Sequence, residues 1–148
     1  MDRFERLAGA LRRIPGLEVR ENEPMKRHTT FRIGGPARLM ALPRSRKEAA
    51  AAVRAATEVG IAPFFLGNGS NLLVADHGYE GFVLKACGLD QVREVNRRLR
   101  AESGITLARL ANAALGRGLT GLEFAHGIPG TLGGAVVMNC LLYTSPSP

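Results

Sequence analysis

The chain has 148 residues, of which 45% are hydrophobic and 22% are charged, a composition typical of one globular domain with an ordinary core. Two cysteines are too few for a disulfide framework, three dispersed histidines lack zinc-ligand spacing, and no apolar run reaches the roughly 18 residues of a membrane span. The net charge of +7 raises a nucleic-acid hypothesis, but the basic residues are scattered and lack interleaved aromatic residues. A solvated basic surface, or attraction to an anionic small molecule, is therefore the favoured interpretation of the charge.

The first half of the chain alternates between helical and strand patterns. Its charged amino terminus does not have the form of a secretory signal, so we expect a cytoplasmic protein. The predicted elements are a helix over 2–14, an irregular polar stretch over 17–30, a strand over 37–42, a helix capped by Ser45 and Glu48 that ends near Gly60, and a buried strand over 63–66. The order strand, helix, strand predicts a βαβ unit.

The second half is richer in glycine and in turns. Here the pattern predicts strands over 72–75 and 82–84, a charged β excursion over 89–104, and a helix that is capped by Thr106 and carries one apolar stripe as far as Leu115. The last eight residues show no periodicity and end in a Ser-Pro repeat. We therefore expect the chain to be cut short, with a tail over 140–148 that is not native.

Two glycine-dense stretches have the composition of phosphate-binding loops. We call residues 67–71 (GNGSN) the first glycine segment and residues 127–135 (GIPGTLGGA) the second glycine segment. Glycine permits positive φ and lets backbone N–H groups approach an anion closely. The alternatives are structural, namely a tight hairpin for the first segment and a loop that passes the core for the second.

The surroundings of the first glycine segment exclude two familiar nucleotide sites. A dinucleotide fingerprint requires a third glycine and a following helix, and a Walker loop requires Gly-Lys-Ser/Thr. The segment has neither, and the pattern after it predicts a strand. A turn between two strands that wraps a pyrophosphate with its backbone, Ser70 and Asn71 remains, beside the hairpin alternative.

Isolated polar residues are weaker candidates for function. Glu123 is interpreted as a structural acid that caps nearby N–H groups rather than a catalytic carboxylate, and His126 as a packing residue. Residues 97–100 predict a solvated strand face. His28 and Arg32 flank a strand entry and either contact a ligand phosphate or have a surface role.

Four segments together resemble the UDP-N-acetylenolpyruvoylglucosamine reductase family, also called UDP-N-acetylmuramate dehydrogenases. They are residues 28–37 (HTTFRIGGPA), 66–74 (LGNGSNLLV), 118–124 (GLTGLEF) and 127–139 (GIPGTLGGAVVMN). Their order and spacing agree with the family over residues 26–139. The sequence departs from it at residues 140–142, where the family continues with Ala-Gly-Ala-Tyr-Gly.

The resemblance implies an α+β fold, the FAD-binding domain of the p-cresol methylhydroxylase/vanillyl-alcohol oxidase type, with two α+β subdomains of which the second is truncated. The implied organisation is a helix and lead-in over 1–31, the incomplete FAD-binding domain over 32–139 and the tail over 140–148. The implied cofactor-binding residues are Gly67, Asn68, Gly69, Ser70, Asn71, Gly127, Ile128, Pro129, Gly130, Thr131, Gly133, Gly134, Ala135 and Asn139.

The implied activity is the NADPH-dependent reduction of the enolpyruvyl group of a UDP-sugar to UDP-N-acetylmuramate for peptidoglycan, with FAD as the hydride carrier. The family's catalytic residues lie after the point of departure, so no residue of this chain is assigned a catalytic role, and we expect the chain to be inactive. Two alternatives stay open: another flavoprotein oxidase of the same superfamily, and a non-catalytic module that binds anionic nucleotides or nucleic acid.

Overall fold

Residues 1–138 of the chain are described by a computed structural model. The chain divides into two compact units, Met1–Leu89 and Asp90–Pro148, which we call the first unit and the second unit. The predicted tail and the predicted cofactor residue Asn139 lie outside the described residues. None of the helices in the described part of the chain combines the length and the apolar character that crossing a bilayer requires.

The first unit is built around a four-stranded sheet. Its elements are α1 (Arg3–Arg12), β1 (Glu18–Pro24), β2 (Pro36–Leu42), α2 (Arg46–Glu58), β3 (Pro63–Leu66) and β4 (Tyr79–Lys85). The strand order is β1-β2-β4-β3, with β1 antiparallel to β2 and both β2 and β3 parallel to β4. The predicted βαβ unit is confirmed, but β4 lies between its two strands.

The two helices cover one face of the sheet. Leu7, Ala8 and Leu11 of α1 and Ala52 and Ala56 of α2 are buried against alternate residues of β2 and β4, such as Leu39 and Phe82. Both helices begin at a capping residue, since the side chains of Asp2 and Ser45 accept hydrogen bonds from Phe4 N and Glu48 N. The helix predictions are confirmed. The predicted capping box at Ser45 is half formed, because the Glu48 carboxylate accepts from Arg44 N instead.

The other face of the sheet is covered by loops. Met25, Met40, Leu66 and Val83 form a second buried cluster, and Leu72 and Val74 pack against it. The prediction of a strand over 72–75 is wrong, since these residues form no ladder with any strand. They are apolar because they cover the sheet, and the apolar run alone does not distinguish a covering loop from a strand.

Three further expectations for the first unit are corrected. Residues 17–30 are not wholly irregular, because β1 forms one edge of the sheet, and its charged side chains are typical of an edge strand. The strand β3 lies where it was predicted but is the opposite edge, so Phe64 and Phe65 are 40% and 63% exposed rather than buried. The lead-in over 1–31 is not separate, since α1 and β1 share the core and sheet of the first unit.

The second unit contains a hairpin followed by two helices. Its elements are β5 (Val92–Val95), β6 (Arg98–Ala101), α3 (Leu107–Gly116), a 3-10 turn (Glu123–Gly127) and α4 (Leu132–Met138). The β excursion and the helix capped by Thr106 are confirmed, with the Thr106 side chain accepting from Arg109 N at 3.3 Å. Leu107, Leu110, Ala111 and Ala114 are the buried stripe of α3. Arg98 and Arg100 are exposed, as the prediction of a solvated face requires.

Candidate cofactor site

The first glycine segment follows β3 and lies directly against residues 28–30. Gly69 has φ +69, and a Cβ atom at this position would stand 1.9 Å from the carbonyl oxygen of His28. Thr30 N donates to the Gly69 carbonyl at 3.1 Å. Glycine is therefore required at position 69 by the packing of two chain segments, whatever ligand the loop binds.

A second close contact joins the same two stretches of chain. Gly35 N donates to the carbonyl of Ala75 at 2.9 Å, and a Cβ at Gly35 would be 2.1 Å from the carbonyl oxygen of Asp76. Residues 28–37 and 66–74, which are separate motifs in the sequence, thus form one local structure. The parallel pairing of β3 and β4 also excludes the hairpin alternative for the first glycine segment, since a hairpin joins antiparallel strands.

The first glycine segment presents several polar donors that the fold does not use. Within residues 1–138, the backbone N–H groups of Asn68, Gly69, Ser70 and Asn71 donate no hydrogen bond, and neither do the side chains of Asn68, Ser70 and Asn71. Successive N–H groups in a turn of this kind form a concavity that binds anions. The loop has the donor set that a phosphate requires.

The second glycine segment differs, because most of its amides are already engaged. Leu132 N donates to Ile105 O at 2.8 Å, Gly133 N to Ser103 O at 2.8 Å, and Gly134 N to the Thr131 hydroxyl at 3.3 Å. From Leu132 onward the segment is the start of α4 rather than a loop. We therefore expect any contact of these residues with a cofactor to be through shape, not through backbone donors.

A cavity of about 690 Å³ opens beside the first glycine segment, and it is strongly cationic. Asn68 and Thr30 line it together with the side chains of Lys26, Arg27, Arg32 and Lys85, and none of the described residues that line it is acidic. Arg32 has φ +55, a left-handed conformation that costs a residue other than glycine about 1–2 kcal/mol. Strain of this kind is found at ligand sites.

His28 does not itself offer a nitrogen to a ligand, although the sequence allowed it to contact a phosphate. The ring is 7% exposed, and both nitrogens are engaged: Nε2 lies 2.8 Å from Glu23 Oε1, and Nδ1 lies 2.7 Å from Lys85 Nζ. Arg20 completes the chain of contacts, with NH1 2.8 Å from the same Glu23 oxygen. We call Arg20, Glu23, His28 and Lys85 the polar chain.

Glu23 is the negative centre of the polar chain. Burial raises the pKa of its carboxyl, but hydrogen bonds from His28 and Arg20 and the nearby positive charge lower it by more, so its pKa is below the usual value. The carboxylate is therefore ionised in the fold at neutral pH. Its charge compensates the arginine and fixes the orientation of the imidazole ring.

A smaller cavity of about 250 Å³ lies in the second unit, between α3 and the 3-10 turn. It is mainly apolar, with Glu123 and His126 at its polar wall. Glu123 Oε2 accepts from Gly121 N at 2.9 Å, which confirms its interpretation as a structural cap. The His126 side chain is exposed and is not the packed residue that the sequence predicted. Among residues 1–138, no three His, Cys, Asp or Glu side chains converge as metal ligands.

Lys85, Lys26 and Arg27 were not predicted as site residues. Lys85 follows the apolar run Phe82, Val83 and Leu84 at the end of β4, and a single charge at the carboxyl end of a buried strand is the signal that could have identified it. Lys26 and Arg27 lie in a short 3-10 turn that the sequence pattern does not predict.

Comparison with protein families identifies a match to the FAD binding domain over residues 37–147. Similar curated proteins include the UDP-N-acetylenolpyruvoylglucosamine reductases of Caldanaerobacter subterraneus, 51% identical over 84% of this chain, and of Moorella thermoacetica, 50% identical over 90%. The chain spans 41% and 44% of the length of these two relatives.

Solved structures show the same relationship. The crystal structure of the UDP-N-acetylenolpyruvylglucosamine reductase from Thermus caldophilus has a TM-score of 0.63 and 33% identity, and it covers 84% of this chain, which covers 42% of it. A BBE-like 1 variant from Physcomitrella patens has a TM-score of 0.53 over 79% of this chain and 26% of its own. At 17% identity it is evidence for the fold alone.

Proposed function

This chain belongs to the family of FAD-binding domains, and from that premise we propose that it is the cofactor-binding part of a UDP-N-acetylenolpyruvoylglucosamine reductase. The observation that carries the proposal is the first glycine segment, whose unused backbone donors lie beside a cationic cavity. The proposed activity is the NADPH-dependent reduction of the enolpyruvyl group of a UDP-sugar. The role in peptidoglycan synthesis and the cytoplasmic location belong to the same proposal.

The residues present fit the phosphate end of FAD. The pyrophosphate carries two negative charges, and the backbone of residues 68–71 offers several N–H groups that donate no hydrogen bond within the described residues. Lys26, Arg27 and Lys85 supply positive charge in the neighbouring cavity. We propose that Gly67, Asn68, Gly69, Ser70 and Asn71 hold this group.

The second glycine segment has a different proposed role. The amides of residues 132–134 are used within the second unit. We therefore propose that this segment contacts the cofactor by packing, through Gly127, Ile128, Pro129, Gly130 and Thr131 and through Gly133, Gly134 and Ala135 at the start of α4. FAD, when bound, supplies the hydride chemistry, and the protein binds and orients it.

The proposal is tested by FAD titration of the 148-residue chain. We expect quenching of flavin fluorescence with a saturable isotherm, and weaker binding by about fivefold or more in Asn68→Ala, because a donor at the phosphate is lost. Thr57→Ala is the matched control, since this exposed hydroxyl on α2 donates to Val53 O in its own helix. Failure of the chain to bind FAD, or equal weakening in both variants, would contradict the assignment.

A further inference from the structure

The polar chain ends at Lys85, and the proposed cofactor contacts give no role to its other three members. It links Arg20 on the edge strand β1 to Lys85 at the end of β4, through Glu23 and His28. Glu23 and His28 are each 7% exposed. Polar groups are retained at such depth only when every donor and acceptor has a partner, and here both ring nitrogens and the carboxylate are paired.

The geometry specifies the direction of each hydrogen bond. A lysine ammonium has donors only, so the Lys85 Nζ group donates and the His28 Nδ1 atom accepts. Nε2 must then carry the ring proton, which it donates to the Glu23 carboxylate at 2.8 Å. The chain therefore holds His28 as one tautomer and fixes the ammonium of Lys85 at one end of it.

Lys85 points this fixed charge toward the cationic cavity. One of its three N–H bonds is used by His28, which leaves two for a ligand. Lys26, Arg27 and Arg32 line the same cavity and are exposed, whereas Lys85 is half-buried. A lysine normally loses side-chain entropy when it binds an anion, and a lysine that is already held in place loses less.

We propose that Lys85 is a pre-organised cation for a phosphate group bound at this cavity, positioned by His28, Glu23 and Arg20. That the phosphate belongs to FAD rests on the proposed function, whereas the positioning of Lys85 does not. His28, Glu23 and Arg20 are positioning residues, since they act through Lys85 rather than on the ligand.

The first test is calorimetric titration of the 148-residue chain with inorganic pyrophosphate. Lys85→Met should weaken binding about tenfold or more, because a charge-assisted hydrogen bond is lost. Lys47→Met is the matched control: Lys47 is an exposed lysine on α2 and should change the affinity by less than about twofold. Lys85→Arg keeps the charge and should recover most of the affinity. No binding by the wild type, or equal losses in the two methionine variants, would overturn the proposal.

The positioning role has its own signature. The ring nitrogens of His28 should show the Nε2-protonated tautomer in 15N spectra of the wild type. In Lys85→Met the Nδ1 resonance should shift because its donor is lost, while the Glu23 carboxylate still holds the proton on Nε2. His28→Phe should lower pyrophosphate affinity although Lys85 remains. If that variant does not fold, Glu23→Gln is measured instead, and it should alter both the tautomer and the affinity. An Nδ1-protonated ring in the wild type would refute the assigned geometry.

A comparison of FAD binding with riboflavin binding separates this inference from the proposed function, because riboflavin lacks the phosphate groups of FAD. Lys85→Met should weaken FAD binding but leave riboflavin binding unchanged. If FAD binds and Lys85→Met has no effect, the cofactor assignment stands and the anion site is wrong. If pyrophosphate binds through Lys85 and FAD does not bind, the anion site stands and the cofactor assignment is wrong. If neither binds, both fall.

Discussion

At the scale of the residue, Glu23 shows how a buried charge is retained. Its carboxylate accepts from His28 and from Arg20, each at 2.8 Å, and these partners replace the water that burial removes. If one member of such a group is removed, the others are left buried without a partner. The resulting loss of folding free energy is larger than the net contribution of the hydrogen bond itself. Glu23 is therefore a sensitive point for the stability of the first unit.

Glu23→Gln should lower the free energy of unfolding at pH 7 by about 1–3 kcal/mol, since charge-assisted hydrogen bonds are lost. The pKa of Glu23 is below its ordinary value in the fold, so the carboxylate stabilises the protein above the unfolded-state pKa of about 4.3. This contribution is lost as pH falls through the folded pKa. The stability gap between wild type and variant, measured by urea unfolding, should narrow below about pH 4.

Glu21→Gln is the control for this prediction. Glu21 lies on the same strand and pairs with Arg12 at 2.6 Å, but both side chains are about half exposed, at 48% and 56%. Exposed ion pairs contribute under about 1 kcal/mol, so this variant should differ little from wild type at any pH. A Glu23→Gln gap that stays constant down to acid pH would contradict the assigned linkage.

Residue identity alone foretold part of the site. The first glycine segment was predicted because glycine, asparagine and serine favour tight turns wherever they are adjacent in sequence, so the local sequence is enough to recognise such a loop. Lys85 and Glu23 were not predicted, because their roles depend on the order of strands in the sheet. β1 and β4 lie on opposite sides of β2, and this order brings Glu23 and Lys85, which are 62 positions apart in sequence, into one hydrogen-bonded chain through His28. Pairings across a sheet of this kind are a tertiary property that no local pattern contains.

At the scale of the element, periodicity predicted the helices and failed for one apolar stretch. The stripes of α1, α2 and α3 repeat at the helical period and are buried where predicted. Residues 72–75 are apolar for the same reason as a strand, since Leu72 and Val74 cover a hydrophobic cluster. They lie against one face of the sheet and form no ladder with any strand.

The hairpin of β5 and β6 contains a strained turn. Val95 pairs with Arg98, and the two residues between them, Asn96 and Arg97, have φ +51 and +62. Positive φ at both central positions defines the type I′ turn, for which Asn-Gly is the preferred pair. Arg97 therefore adopts a conformation that glycine adopts more readily.

Arg97→Gly should stabilise the hairpin by about 0.5 kcal/mol, which corresponds to about a twofold rise in amide protection. Native-state hydrogen exchange of the backbone amides in residues 92–101 measures this directly. Arg100→Gly removes the same charge from within β6, where Arg100 pairs with Arg93, and should lower protection instead, since glycine weakens a strand interior. Equal effects of both substitutions would show that charge, rather than turn geometry, controls the hairpin.

At the scale of the whole molecule, each unit contains one glycine segment. The first unit carries residues 67–71 and the cationic cavity, and the second unit carries residues 127–135 at the start of α4. The match to the FAD binding domain spans parts of both units, over residues 37–147. The proposed function assigns the phosphate end of the cofactor to the first unit, where the unused donors and the cations lie.

The last prediction concerns activity. The chain spans 41% and 44% of the length of the Caldanaerobacter and Moorella reductases, and we propose that the groups that bind and protonate the substrate lie in the part of these relatives that it does not match. The 148-residue chain should therefore show no NADPH oxidation that depends on the enolpyruvyl UDP-sugar, measured by NADPH absorbance with FAD in excess. The reductase of Moorella thermoacetica is the positive control in the same assay. Flavin binding without turnover is the expected pair of results, whereas substrate-dependent turnover by this chain would place the catalytic groups within it.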